Sequence, residues 1–262
     1  TQSFVPADGE LLAPINPTRI LDTRPEDGSG TVGITADGLA RGTGELAPGT
    51  PLTLQVGGRA GVPPTATAVS LNLTAAGATG LGYLTVWPCD VDRPLASSIN
   101  YNVADSSIAN SVVVPLAADG TVCIESAVTP VQVVADVTGW SASSAAYTPL
   151  VPARLLDTRA DDGNTVGKTI DSEFAGDGVL EPGTTITLDV ADRGGVPADA
   201  TAVSVNLTSS NAEGPGYLVA WPCDSDQPLA STLNYLSEAP IANSVVVPLS
   251  GTGTLCIESA VA

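Results

Sequence analysis

Acid–base and nucleophilic chemistry usually draw on histidine or a free thiolate. This sequence has no histidine and only four cysteines. Carboxylates are the remaining ready acid–base groups. The acids that recur at matching places along the chain are Asp22 and Asp157, Asp90 and Asp224, Asp92 and Asp226, and Glu125 and Glu258. Glycoside hydrolysis would need two of them facing one cleft. Acids reproduced in both halves of a chain are more simply explained by architecture, so the sequence is read as non-catalytic and in need of no cofactor.

Other residue sets carry the chemistry of binding. In Leu-Asp-Thr-Arg, strand alternation would put Asp22 and Arg24 on one face, within reach of each other and of Arg19. Arg154, Asp157 and Arg159 repeat the pattern. These are expected to be structural ion pairs, with presentation to a sugar or a peptide terminus as the functional alternative. Asp90 and Asp92, like Asp224 and Asp226, sit two residues apart after a cysteine. That spacing can contribute to a calcium site but lacks the rest of a ligand loop, and a solvated acidic turn is the simpler reading. Trp87, Trp221, Tyr101 and Tyr235, with Tyr83 and Tyr217, give each half a small aromatic set. Core packing accounts for them, and a sugar-binding platform is the alternative. Asn72-Leu73-Thr74 and Asn206-Leu207-Thr208 fit the glycosylation sequon, but a strand interior is a poor acceptor.

These residues belong to a chain of 262 residues that is 43% hydrophobic and 14% charged, a composition that builds cores. Twenty-eight acidic against nine basic residues give a net charge of −19, which repels phosphate backbones and anionic membranes; nucleic acid is not an expected partner. No apolar run approaches the roughly 18 residues of a membrane span. Methionine is absent even at position 1, so the chain is expected to begin where a signal peptide was removed, with Thr1 a mature N-terminus. The expected location is extracellular or at the cell surface.

The elements that must position these groups come from an internal repeat. The chain matches itself at an offset of 135 residues that shrinks to 133. Arg19 to Arg24 returns as Arg154 to Arg159, Gly61-Val62-Pro63 as Gly195-Val196-Pro197, and Ala66 to Thr74 as Ala200 to Thr208. Trp87-Pro88-Cys89-Asp90 returns as Trp221-Pro222-Cys223-Asp224, and Ile108 to Leu116 as Ile241 to Leu249, unchanged. Within each copy the period is two: Val69, Leu71 and Leu73 face one way while Ser70, Asn72 and Thr74 face the other. Similar runs separated by Gly, Pro and Asp give about eight short strands per copy. The expected fold is all-β, two tandem antiparallel β-sandwich modules of jelly-roll or Greek-key type, with a closed barrel as the other option. The expected boundaries are an N-terminal extension at 1–11, module 1 at 12–140, a linker at 141–147 and module 2 at 148–262.

Cys89 and Cys123 fall in the first copy, Cys223 and Cys256 at matching places in the second. Pairing within each module follows if each folds as a unit in an oxidising compartment. Each bridge would close a loop of about 35 residues and stabilise by on the order of 3–4 kcal/mol. A zinc site would lack histidine and Cys-x-x-Cys spacing.

Pro152 to Arg159 spells Pro-Ala-Arg-Leu-Leu-Asp-Thr-Arg. With Gly61-Val62-Pro63, Asn72 to Thr74, Trp87-Pro88, Asn100 and Asp136-Val137-Thr138-Gly139-Trp140, it makes the modules resemble a repeat found in secreted and surface proteins of actinobacteria. The resemblance implies location and architecture, as a surface or cell-wall attachment module. It brings no catalytic residues, and paired cysteines are not part of its general pattern.

The first copy ends with Val131 to Trp140, whereas Ala262 aligns with Thr129, so the last strand of the second copy has no counterpart. Leaving out three or four buried valines would cost on the order of 1.5–3 kcal/mol each and expose a strand edge. The chain continues past Ala262, or the segment Thr1 to Leu11 donates a strand to the second module of another subunit; Pro6 and Gly9 make that segment an imperfect strand. Head-to-tail donation would build a filament. The functional expectation is a structural protein of a surface filament or adhesin stalk, with copies of itself as partners. A glycan-binding module is the alternative.

Overall fold

Alternating apolar residues bounded by turns produce strands throughout, and the computed structural model describes residues 12–102, 107–142, 148–229, 231–236 and 239–259. The chain divides into two units between Val151 and Pro152. Among the described residues the regular elements are all strands, and no helix is long and apolar enough to cross a membrane. The proposed donor segment at 1–11 and most of the expected linker, 143–147, lie outside the described residues.

Module 1 holds β1 (Ala13–Asp22), β2 (Leu52–Gln55), β3 (Ala68–Ala76), β4 (Gly82–Pro88), β5 (Ile99–Tyr101), β6 (Ser107–Pro115), β7 (Thr121–Ala127) and β8 (Gln132–Ser141). One antiparallel sheet runs β1-β8-β3-β6 and the other β2-β7-β4-β5. This is the strand order of a jelly roll, in which strands distant in sequence pair across two facing sheets. Leu71, Leu73, Val133 and Val137 from the first sheet meet Leu54, Leu84, Val86 and Ile124 from the second in one buried core. The strand β8 is central. It pairs with β3 from Ala68↔Ser141 to Ala76↔Gln132 and with β1 from Ala13↔Trp140 to Asp22↔Val134. Its start is also anchored by a bridge between Val131 and Leu46.

Module 2 holds β9 (Thr185–Asp189), β10 (Ala202–Ser209), β11 (Gly216–Pro222), β12 (Leu233–Tyr235), β13 (Ile241–Pro248) and β14 (Thr254–Ser259). Its second sheet, β12-β11-β14-β9, reproduces that of module 1 strand for strand. Its first sheet is reduced to β10-β13. Among the described residues no strand stands at the place of β8. The counterpart of β1, residues 148–157, is also not a strand, because a strand is defined by a partner and β1 depends on β8 for its own.

Candidate functional site

The repeated acids are built into the scaffold. Asp22 is fully buried at the end of β1. Its Oδ1 accepts from the Arg24 amide at 3.1 Å and from Nε of Arg24 at 2.9 Å. Its Oδ2 accepts from Nη2 of Arg24 at 2.7 Å, the Gly33 amide at 3.0 Å and Nη1 of Arg19 at 3.4 Å. Burial alone would raise this carboxyl, but the Arg24 side chain and the amides of Arg24 and Gly33 overrule it and hold it below the ordinary value. The ion pair forms, yet not by strand alternation: β1 ends at Asp22, and the chain turns so that Arg24 folds back over it. Gly33 is required here, because at φ +69° an added Cβ would lie 2.6 Å from the Glu26 amide nitrogen.

Asp157 repeats the cage. Arg159 reaches it at 2.7 Å, Arg154 at 3.0 Å and the Gly167 amide at 3.1 Å. Burial again pushes the carboxyl up, and the Arg159 side chain leads the interactions that bring it down. In both modules the cage ties a long loop to the strand position that precedes it.

A second pair escaped the reading of the sequence. Nε and Nη2 of Arg59 grip Asp37 at 2.7 and 2.9 Å while its Nη1 and Nη2 donate to the Gln55 and Ile20 carbonyls. Arg193 does the same to Asp171 at 2.7 and 2.8 Å and to the Asp189 and Leu155 carbonyls. The guanidinium bonds hold Asp37 and Asp171 down to about 2 from 3.8. The available signal was the recurrence of both residues at the repeat offset, the arginines just before Gly-Val-Pro.

The cysteines are joined as Cys89–Cys123 and Cys223–Cys256, with Cα separations of 5.0 Å. Beside them, Asp90 accepts from the Ala118 amide at 3.0 Å and Asp224 from the Gly251 amide at 2.7 Å, so these acids clasp neighbouring turns. Asp92 and Asp226 are exposed on the same loops. Among the described residues no group of three or more His, Cys, Asp or Glu side chains is placed to hold a metal ion. Glu125 pairs with Arg93 at 3.3 Å, and Glu258 accepts from Thr185 at 3.0 Å.

The aromatic platform is corrected. Trp87, Trp221, Tyr101 and Tyr235 are buried, so none of the four offers a ring face to a sugar. The Tyr101 ring lies over Gly82, where a Cβ would come within 2.5 Å of it, and its hydroxyl donates to the Thr129 carbonyl at 2.8 Å. Tyr235 lies likewise over Gly216. Of the recurring aromatics, Tyr217 is exposed.

What remains as a site is the place where the two modules differ. In module 1, Val69, Leu71 and Leu73 of β3 are completely buried under the facing sheet and between β8 and β6. Their counterparts Val203, Val205 and Leu207 on β10 are only half-buried. One edge of β10 pairs with β13, from Ala202↔Pro248 to Ser209↔Ile241, and among the described residues no strand pairs with the other.

Residues 154–158 nevertheless keep the loop-side bonds of β1. The Ile170 amide donates to the Arg154 carbonyl at 2.9 Å, the Asp157 amide to Phe174 at 3.0 Å, Gly176 to Asp157 at 2.8 Å and Gly178 to Thr158 at 2.9 Å. The same bonds in module 1 run from Ala36 to Arg19, Asp22 to Ala40, Gly42 to Asp22 and Gly44 to Thr23. Leu155 and Leu156 are half-buried where Ile20 and Leu21 are fully buried. Val203, Val205 and Leu207 of β10 and Leu155 and Leu156 are thus all less enclosed than their counterparts in module 1. A sheet edge offers backbone donors and acceptors to an added strand.

No family model and no curated protein matches the chain. Solved structures with some likeness include the N-terminal CBM22-1–CBM22-2 tandem domain of Xyn10C from Paenibacillus barcinonensis, at 12% identity over 95% of this chain and 91% of that one, TM-score 0.25. The PBSX exported protein XepA is 11% identical over 99% of this chain and 98% of that one, TM-score 0.24. The ANXUR1 extracellular domain from Arabidopsis thaliana is 12% identical over 96% of this chain and 84% of that one, TM-score 0.24. At these scores the three likenesses carry no functional argument, and the contrast between β3 and β10 is the feature on which a functional reading rests.

Proposed function

We propose that this protein is a non-catalytic extracellular structural subunit that assembles with copies of itself through its β-modules into a surface filament or stalk. The observation that carries the reading is the contrast between β3, whose Val69, Leu71 and Leu73 are fully buried, and β10, whose matching Val203, Val205 and Leu207 are only half-buried among the described residues. Two disulfides support maturation in an oxidising compartment. The engagement of Asp22, Asp157, Asp37 and Asp171 by arginines supports a structural role for the acids. Head-to-tail strand addition between identical chains is a heterologous contact, which propagates as a filament where its rotation does not close into a ring.

Electron microscopy of the secreted full chain tests this. Filaments or end-to-end chains of double beads are expected, and truncation of residues 1–11 should abolish them. Monodisperse two-bead particles at all concentrations would contradict the reading.

A further inference from the structure

Independently of assembly, we infer that the outer face of β11 and β14 in module 2 holds a guanidinium site, filled by an arginine side chain of a different protein. Module 1 shows the site occupied from within. Leu84 and Val86 of β4 face the core, so Tyr83 and Thr85 face outward, and Glu125 of β7 lies opposite Thr85. Arg93, on the loop that follows Cys89, folds across this face. Its guanidinium carbon stands 5.6 Å from the Tyr83 ring centroid, its Nε pairs with Glu125 at 3.3 Å and its Nη2 donates to Thr85 Oγ1 at 3.4 Å. A ring face and a carboxylate together hold one cation.

Module 2 keeps the ring and the carboxylate but not the cation. Tyr217 and Glu258 stand at the places of Tyr83 and Glu125, and the pairing of Val219 with Glu258 repeats that of Thr85 with Glu125. Gln227 takes the place of Arg93. Strand register sets Tyr217 diagonally beside Glu258, within reach of one side chain laid across both. Tyr217 is 45% exposed, and the half-buried Glu258 accepts from the neutral Thr185 hydroxyl at 3.0 Å. Val219 packs with Trp221 and Cys256 into a small apolar cluster on this face. Such a surface suits a weakly hydrated, planar guanidinium better than an ammonium.

The charge bookkeeping of the chain says where the cation comes from. Each of its nine Lys and Arg residues is already paired with an acid other than Glu258. A second copy therefore offers no unpaired guanidinium, and the occupant belongs to another protein. Charge complementarity favours it: a carboxylate beside an exposed ring, on a chain of net charge −19, attracts a cationic segment.

An NMR titration of the full chain tests this. The probe is the acetylated, amidated hexapeptide of Val91–Ala96, which carries the arginine that fills the site in module 1. Saturable one-to-one binding is expected, with shifts at Tyr217, Val219 and Glu258. The same peptide with neutral citrulline for arginine, and spermidine, should each bind about tenfold more weakly or worse, since one lacks the charge and the other the planar fork. Glu258→Gln should weaken the peptide about tenfold. Gln227→Arg should abolish binding, because the module's own loop then supplies the missing side chain. Melting curves and mapping of the native disulfides verify that both variants are folded. Absence of saturable binding overturns the inference. So does binding that citrulline peptide or spermidine matches, or that survives in Gln227→Arg, since it marks nonspecific attraction to an acidic surface.

Discussion

Asp22 shows how a carboxylate is made structural. It is fully buried and accepts five hydrogen bonds, so removing its charge leaves Arg24 half-enclosed and the Gly33 loop untied. Breaking one partner of such a pair costs about 3–5 kcal/mol. Asp22→Asn should lower the stability of module 1 by about 3 kcal/mol, measured by urea unfolding, and Asp157→Asn should do the same to module 2. The Arg59–Asp37 and Arg193–Asp171 pairs predict a pH dependence. Because the folded-state pKa of each acid is depressed to about 2 from 3.8, the stability it contributes is fully present above pH 3.8 and is lost as pH falls toward 2. Melting temperature should fall over that window, and Asp37→Asn should flatten the part of the fall that belongs to module 1. The buried Trp87 and Trp221 predict that Ala substitution costs about 3–5 kcal/mol through cavity formation, with loss of fold rather than selective loss of ligand, as read by denaturation beside a glycan array.

At the scale of elements, β3 and β10 share eight of their nine aligned residues from Ala66/Ala200 to Thr74/Thr208, yet one is enclosed and the other is open. The difference lies in the neighbour. Amide exchange in the monomer should therefore be slow along Ala68–Ala76 and markedly faster in those amides of Ala202–Ser209 that face away from β13, as read by exchange mass spectrometry. Alternation made these strands legible in the sequence, as it did β7 and β8. The cysteine positions at the repeat offset pointed to the two bridges. The collapse of the β1 counterpart was not legible: Pro152 to Asp157 is as good a strand sequence as the segment leading into Asp22, and only the partner decides. Core packing was the leading reading of Trp87 and Tyr101 in the sequence, and their burial bears it out against the sugar-platform alternative. The Arg59–Asp37 clasp joins residues 22 positions apart through a loop without periodicity, leaving only its recurrence as a clue.

For the molecule as a whole, an eight-stranded jelly roll is followed by a module that shows six strands among the described residues. The first module tells the second what it needs, residue by residue, since the loops, disulfide and arginine clasps around the two are the same. On the proposed assembly reading, a subunit that offers a strand at one place and a sheet edge at another needs no further surface to polymerise. The most direct test is a high-resolution electron-microscopy map of the assembled material. The account predicts that a strand from a neighbouring subunit lies along the edge of β10 that faces away from β13. Filaments in which that position is empty, or in which the modules meet through other surfaces, would contradict it.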